Sequence, residues 1–433
     1  MKEQKENSTK GWLQRLKDES WEAELLVSAI AIYGTFQLFE IVISGTNFFI
    51  NVLNPSQYII AYFIITFGLL GVSILSSMFV IHFFLRAYWI GLVGLNSVFP
   101  DYSIEDSAYS KIYTEKILSI LPKLKESIHK VDELCSVIFS SAFTFLMIYA
   151  YTAIFSSIYL LLFNLLSDFI HSYILLIPLL IIAIGFVVQT TITLIANLKK
   201  NKEKRGLQIL NFKIVKIFSM ILYGPLYKNI LQVSMVFGSN FKKKKSLTYL
   251  ILTFLLFGLL VFAYQFTKTN VLYLMNKDKY FDISKTYSDY YKTENSSNDF
   301  LLAPEINSHK ITADVLEVFI PVYAYERGIR KQICGEYIKE DTKSLSEEQI
   351  KKNSFLIDCY KKYNFVYLNN KQVAVDFIRY NNHPKTKQFG LLGYVDLSSL
   401  SKGLHEIRIE KVNKEGVFSQ WTIPFYYNLN QNK

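Results

Sequence analysis

The sequence predicts an α-helical integral membrane bundle of about five spans followed by a C-terminal β-rich, sandwich-like soluble domain. Three observations lead there. Apolar runs crowd the chain before Lys268, charges recur every few residues after it, and basic clusters flank the apolar runs. The 433 residues are enough for two or three domains.

A bilayer core of about 30 Å needs about 20 apolar helical residues. Residues 25–43, 58–85, 134–163, 173–197 and 247–266 each meet that need. The segments between them set a direction. Residues 44–57 carry no charge and 164–172 carry only Asp168, whereas the N-terminal arm, 86–133 and 199–216 hold the lysines and arginines. With five spans every basic segment falls on the cytoplasmic side, as the positive-inside rule requires. The N-terminus is then cytoplasmic and the C-terminal domain extracytoplasmic, with the plasma membrane, a bacterial inner membrane, as the expected location. Residues 217–241 are apolar but broken by Gly224-Pro225, which leaves two pieces each too short to cross. They are read as an interfacial or re-entrant pair; a sixth span there would put the C-terminal domain inside.

The domain plan is therefore an interfacial helix at 1–23, a polytopic region at 24–267 with cytoplasmic helical insertions at 86–133 and 199–245, a stalk at 268–305, and a β-rich domain at 306–433. Trp12, Leu13, Leu16 and Trp21 among charges suit a helix at headgroup level. Some twenty polar residues precede the first apolar run without a small-residue cleavage site after it, so that run is expected to remain as a helix. Ile117, Leu121, Leu124, Ile128, Val131, Cys135 and Ile138 form one helical face that leads into the third span. That face packs within the protein or, as a helix over 112–134, docks a partner protein.

In the C-terminal part, strands are expected at 313–322, 365–368, 373–380, 391–397, 405–411 and 418–425. Tight turns are expected at Asn369-Asn370 and 413–416, and a capped helix from Ser346 to about Tyr360. Short strands at this spacing suggest a small sandwich, immunoglobulin-like in the broad sense.

The formal charge of +11 does not signal a nucleic-acid partner. Most of the excess sits in clusters beside apolar runs, and after Gln265 the balance is 24 basic to 20 acidic residues. Phosphate-binding GxxxxGK, HExxH, CxxC and GxSxG spacings are all missing. No cofactor or metal is expected. His383, His405 and Asp376 could converge in the soluble domain, although surface positions explain them as well.

Ionisable residues in lipid are costly and so point to function. Glu40 lies near the outer end of the first span, His82 and Arg86 at the inner end of the second, and Arg86 is expected to snorkel to headgroups. A helical rise of 1.5 Å separates Glu40 from His82 by about 25 Å, too far to pair. Gln189, Thr193 and Asn197 make a polar stripe on the fourth span, and Ser136, Ser140 and Thr144 another on the third. Either lines a transport path or packs helices closely. Cys334 and Cys359 can pair if their domain lies in an oxidising compartment, closing a loop of about 25 residues worth roughly 3 kcal/mol; two separate buried thiols are the other reading.

Together these features favour a non-enzymatic envelope protein acting as a binding, sensing or assembly component through its outer β-domain. The bilayer and another protein are its expected partners. A channel or transporter using a path near Glu40 and the polar stripes is the alternative.

Overall fold

The computed structural model describes residues 2–99, 108–167, 169–240, 244–282, 284–294, 300–338 and 345–428, without the side chains of 2–20, 172, 237–240, 244–248, 278 and 345. The side chains of Trp12, Leu13, Leu16 and of the lysines at 242–245 thus lie outside the described parts, as does Asp168. The chain forms two compact units: Met1–Ser44 with Phe63–Thr269, and Gly45–Tyr62 with Asn270–Lys433.

The first unit is helical. α1 (Lys2–Val52) runs unbroken through the arm and the first apolar run, and α2 (Tyr58–Val98) follows. α3 (Lys111–Ile120) and α4 (Leu124–Leu166) are separate helices. The continuous helix expected from the 117–138 stripe is interrupted because Pro122 lacks an N–H and forces Leu121 into extended backbone (φ −88°, ψ 137°). From Leu124 onward the stripe does turn inward: Cys135 and Ile138 are fully buried. α5 (Ser172–Asn197), α6 (Arg205–Tyr223), α7 (Tyr227–Asn240) and α8 (Lys244–Phe266) complete the unit.

Among the described residues six segments are long and apolar enough to cross a membrane, one more than expected; the extra one is Arg205–Val236. It is not one straight helix. Gly224 adopts φ +48°, a conformation side chains resist, and a Cβ there would collide with the Tyr151 hydroxyl. Pro225 then starts a short 3₁₀ turn before α7.

Neighbouring contacts fix the directions of α1, α2, α4, α5, α6 and α8. Arg86 on α2 meets Glu24 on α1 and Asp132 on α4, and His82 meets Phe139, Phe79 meets Phe143, and Gly71 meets Tyr149. α4 therefore runs antiparallel to α2, starting at the Arg86 end. The Tyr159 hydroxyl donates to Leu175 O, so α5 returns to that end. α6 climbs back beside α5, with Gln208 bonded to Ala196 O, Thr193 to Asn211, and Phe218 against Gly185. α8 also starts at the Arg86 end. Its Phe254 packs with Leu75 and Met78, its Gly258 abuts Ile74, and its far end leads to Asn270, which bonds Asn47 just past α1's apolar run. Segment α6–α7 thus enters and leaves the bundle at one end, with Gly224 at its tip. The 14 residues of α7 give a return of about 21 Å.

The second unit packs two sheets. Short helices α9 (Val271–Met275) and α10 (Lys277–Tyr280) precede β1 (Glu305–Ile306), β2 (Lys310–Ile311) and β3 (Val315–Pro321). Next come α11 (Glu326–Cys334), α12 (Leu345–Lys361), β4 (Asn364–Leu368), β5 (Lys371–Val373), β6 (Asp376–Tyr380), β7 (Gly390–Asp396), β8 (Gly403–Asn413) and β9 (Gly416–Tyr427). The sheets are ordered β1-β3-β7-β6 and β2-β9-β8-β4-β5. Alternation puts Leu316, Val318, Ile320, Leu391 and Val395 of one sheet against Ile407, Ile409, Trp421, Ile423 and Phe425 of the other, all buried. The strands expected from the sequence are present except that 373–380 is divided: its first residue ends β5 in one sheet and 376–380 form β6 in the other. Asn369 and Asn370 take positive φ (47° and 66°), as a two-residue hairpin turn of this twist requires.

Two segments differ from expectation. Residues read as a stalk are built into the domain: Tyr273, Leu274, Phe281, Tyr290 and Leu301 are buried. The uncharged 45–62 connection also belongs to this unit, where Asn51 accepts from the Ala324 and Tyr325 amides through its side-chain and backbone oxygens, 3.0 and 3.1 Å. Cys334 and Cys359 lie at disulfide distance, Cα–Cα 5.9 Å, tying α11 to α12.

Candidate functional site

Residues directly opposite in an antiparallel ladder project to the same face, and so do residues two apart along a strand. The register sets Glu305 opposite Phe319, Phe319 opposite Leu392, and Glu317 opposite Tyr394. All five side chains therefore share the outer face of the four-stranded sheet, away from the sandwich core. A pocket of about 320 Å³ opens on that face.

The turn after β6 supplies its upper wall. Asn382 and Lys387 adopt positive φ, and Lys387 N donates to His383 O. Gln388 anchors the turn through paired bonds to the Leu301 backbone, 2.6 and 3.0 Å. His383 is thereby buried, with its ring centroid 4.7 Å from that of Phe319 and tilted 39° to it.

His383 Nε2 lies 2.9 Å from Glu305 Oε1, and both side chains are only 4% exposed. The Thr386 amide, which can only donate, points at Nδ1. Nδ1 therefore accepts, the proton sits on Nε2, and Nε2 donates to Glu305. Burial pushes the Glu305 carboxyl up to about 7; Lys292 and Lys385 pull it down and Glu317 adds to the rise. Burial also holds His383 below its ordinary value, reinforced by the positive charges of Lys292 and Lys385. Near neutral pH the wall thus presents an uncharged imidazole and a carboxyl close to half protonation, able to donate or accept. Beside them, Lys292 and Glu317 form an ion pair at 3.6 Å. Tyr380, Tyr394 and Asn307 also line the pocket.

A second buried acid–base centre in the same unit is built differently. Lys411 follows Ile407 and Ile409 on the inward face of β8. Its ammonium bonds Glu326 Oε1 at 2.5 Å and Pro321 O at 2.6 Å, and lies 5.2 Å over the Tyr323 ring. Glu326 also accepts from the Tyr323 amide and the Tyr363 hydroxyl. Burial lowers Lys411's proton affinity while Glu326 restores part of it.

In the helical unit, Glu40 is exposed on α1. His82 is fully buried, with Nδ1 2.7 Å from the Ser28 hydroxyl. Arg86 does not snorkel. It is 1% exposed and bridges Glu24 and Asp132 at 2.8 and 2.7 Å, because two carboxylates on neighbouring helices satisfy it inside. Thr193 donates to Asn211, Asn197 donates to Thr193 O, and Gln189 is half-buried. Ser140 and Thr144 bond back to their own helix. No group of three or more metal-ligating side chains occurs among the described residues.

Of the C-terminal residues singled out by sequence as a possible site, only His383 reaches the pocket. Asp376 pairs with Lys361 at the surface, and His405 bonds Ser401 O and Asn369. Glu305 and Lys292 were missed because they lie in the segment read as a stalk. Glu317 carried a signal: it sits on the polar side of an alternating strand with otherwise apolar neighbours. No protein-family model, curated protein or solved structure matches this chain.

Proposed function

We propose that this chain is a multi-pass membrane protein of the cell envelope whose sandwich domain lies outside the cytoplasm and binds a ligand there. The observation that carries the binding reading is the pocket holding the Glu305–His383 pair. A carboxyl and imidazole that are buried against each other yet line a cavity leave polar capacity for a ligand there.

The topology has separate support. Five crossings and one dipping segment, α6–α7, keep the basic connections on one side, in line with the positive-inside rule. A cysteine pair at disulfide distance suits an oxidising compartment. The transport reading has less behind it: Glu40 is exposed on α1 and Thr193 is engaged by Asn211.

The test is a pair of reporter fusions after Lys433, one active only in the cytoplasm and one active only outside it. Outside activity is expected, together with a mobility shift of the unreduced protein that Cys359→Ser abolishes. Cytoplasmic activity would refute the five-span reading.

A further inference from the structure

We propose that the pocket on the four-stranded sheet is a binding site for a neutral saccharide; this rests on the binding role given above to the same pocket. Its polar groups are already partnered. Glu305 is bonded by His383, and Glu317 is paired with Lys292. An anionic ligand would face two carboxyl groups, and a cationic one would have to displace Lys292 or His383. An uncharged ligand meets neither cost.

The wall is also unsuited to an apolar ligand, which would strand its polar groups. Lys292, Asn307 and the Tyr380 and Tyr394 hydroxyls can donate, and Glu305 and Glu317 can accept. Tyr394 is 44% exposed and offers a ring beside these groups. A sugar ring presents that combination in reverse, with hydroxyls at its edge and C–H groups on its faces. A peptide is the other neutral chain to consider. Extended peptides bind by adding to a sheet edge, whereas this pocket lies on a sheet face built from β3 and β7, the two central strands. The volume of about 320 Å³ falls at the bottom of the small-ligand range of roughly 300–1,000 Å³. That fits one sugar unit or a chain end better than a long polymer segment.

The experiment uses the full chain in lipid nanodiscs, because sugar-headed detergents would compete. The protein is titrated calorimetrically with a set of neutral mono- to tetrasaccharides, and in parallel with alkylamines, inorganic phosphate and neutral tripeptides. Binding of at least one neutral saccharide is expected. Tyr394→Ala and Glu317→Gln should each weaken it at least tenfold, while Leu404→Ser on the other sheet leaves it unchanged. Saccharide binding that neither pocket variant weakens, or no saccharide binding, overturns the inference. If amines, phosphate or peptides bind in a way the pocket variants abolish, the saccharide inference falls and the binding role survives. If no probe binds through the pocket, both fall. Mass spectrometry of the saccharide after incubation separates binding from cleavage; shortened products would overturn the non-enzymatic reading while leaving the saccharide inference standing.

Discussion

The sandwich domain buries two acid–base pairs, and they are built to opposite plans. Around Glu326 and Lys411 the charges are sealed: the ammonium has a carboxylate, a carbonyl and a ring, and the carboxylate has an amide and a hydroxyl besides. At Glu305 and His383 the imidazole is fully engaged, but the carboxyl faces a cavity and is held near half protonation. A sealed pair can only hold strands and helices together. An open one retains chemistry for something outside the chain. Satisfaction of hydrogen bonds, more than burial or charge, is what distinguishes the two pairs.

The sharpest way to break this comparison is Lys411→Met. It leaves Glu326 buried without its cation and should cost about 3–5 kcal/mol in denaturant unfolding of the sandwich domain. Adding Glu326→Gln should recover part of that loss, as a coupled pair requires. A loss under about 1 kcal/mol would mean the pair is not sealed. Next in size is the cysteine link, which ties the end of α11, the helix that seats Glu326 in its first turn, to α12. Replacing both cysteines with serine should lower stability by roughly 3 kcal/mol in the chain-entropy model, read as a shift in the unfolding midpoint without change in ligand affinity.

The open pair should instead show itself in pH dependence. Glu305 has its proton affinity raised from its ordinary 4.5 to about 7. Such an acid costs nothing below 4.5, destabilises progressively as pH rises toward 7, and adds no further cost above it. His383 acts in the opposite sense, since a depressed base costs stability as pH falls below its ordinary 6.5. Glu305→Gln removes only the first effect. The stability of the variant relative to the parent should therefore rise by about 2–3 kcal/mol between pH 4.5 and 7, at about 1.4 kcal/mol per pH unit of displaced titration. A pH-independent difference would place Glu305 with the sealed pair. Smallest of all, Tyr394→Ala should change stability by no more than about 0.5 kcal/mol, because the ring is substantially exposed. A larger loss would make Tyr394 part of the domain's packing rather than of its pocket.

Much of this fold was legible in the sequence because apolar period and charge placement are local signals. Alternation located the longer strands, although 373–380 divides between two sheets, Asn369-Asn370 marked a hairpin turn, and run length located five of the six long apolar segments among the described residues. The spacing of Cys334 and Cys359 allowed a pairing that the structure brings within reach. In two segments the signal was one of composition with two physical meanings. The missing charge in 44–57 pointed to the outer side of a membrane. The same missing charge allows Phe49, Ile50 and Leu53 to be buried in the sandwich unit. Tyrosine, serine and asparagine between 270 and 305 suggested a loose stalk, yet tyrosine is an amphipathic core residue when neighbouring rings are available.

What the sequence by itself determined is most of the long elements: which apolar runs are helices, which segments alternate as strands, and where Gly224-Pro225 and Asn369-Asn370 turn the chain. Only tertiary structure decided which charges meet. Arg86 joins Glu24 and Asp132 across 62 and 46 residues, Lys411 reaches Glu326 across 85, and His383 reaches Glu305 across 78. No local period encodes such pairs, because each depends on helix and strand neighbours that packing alone brings together.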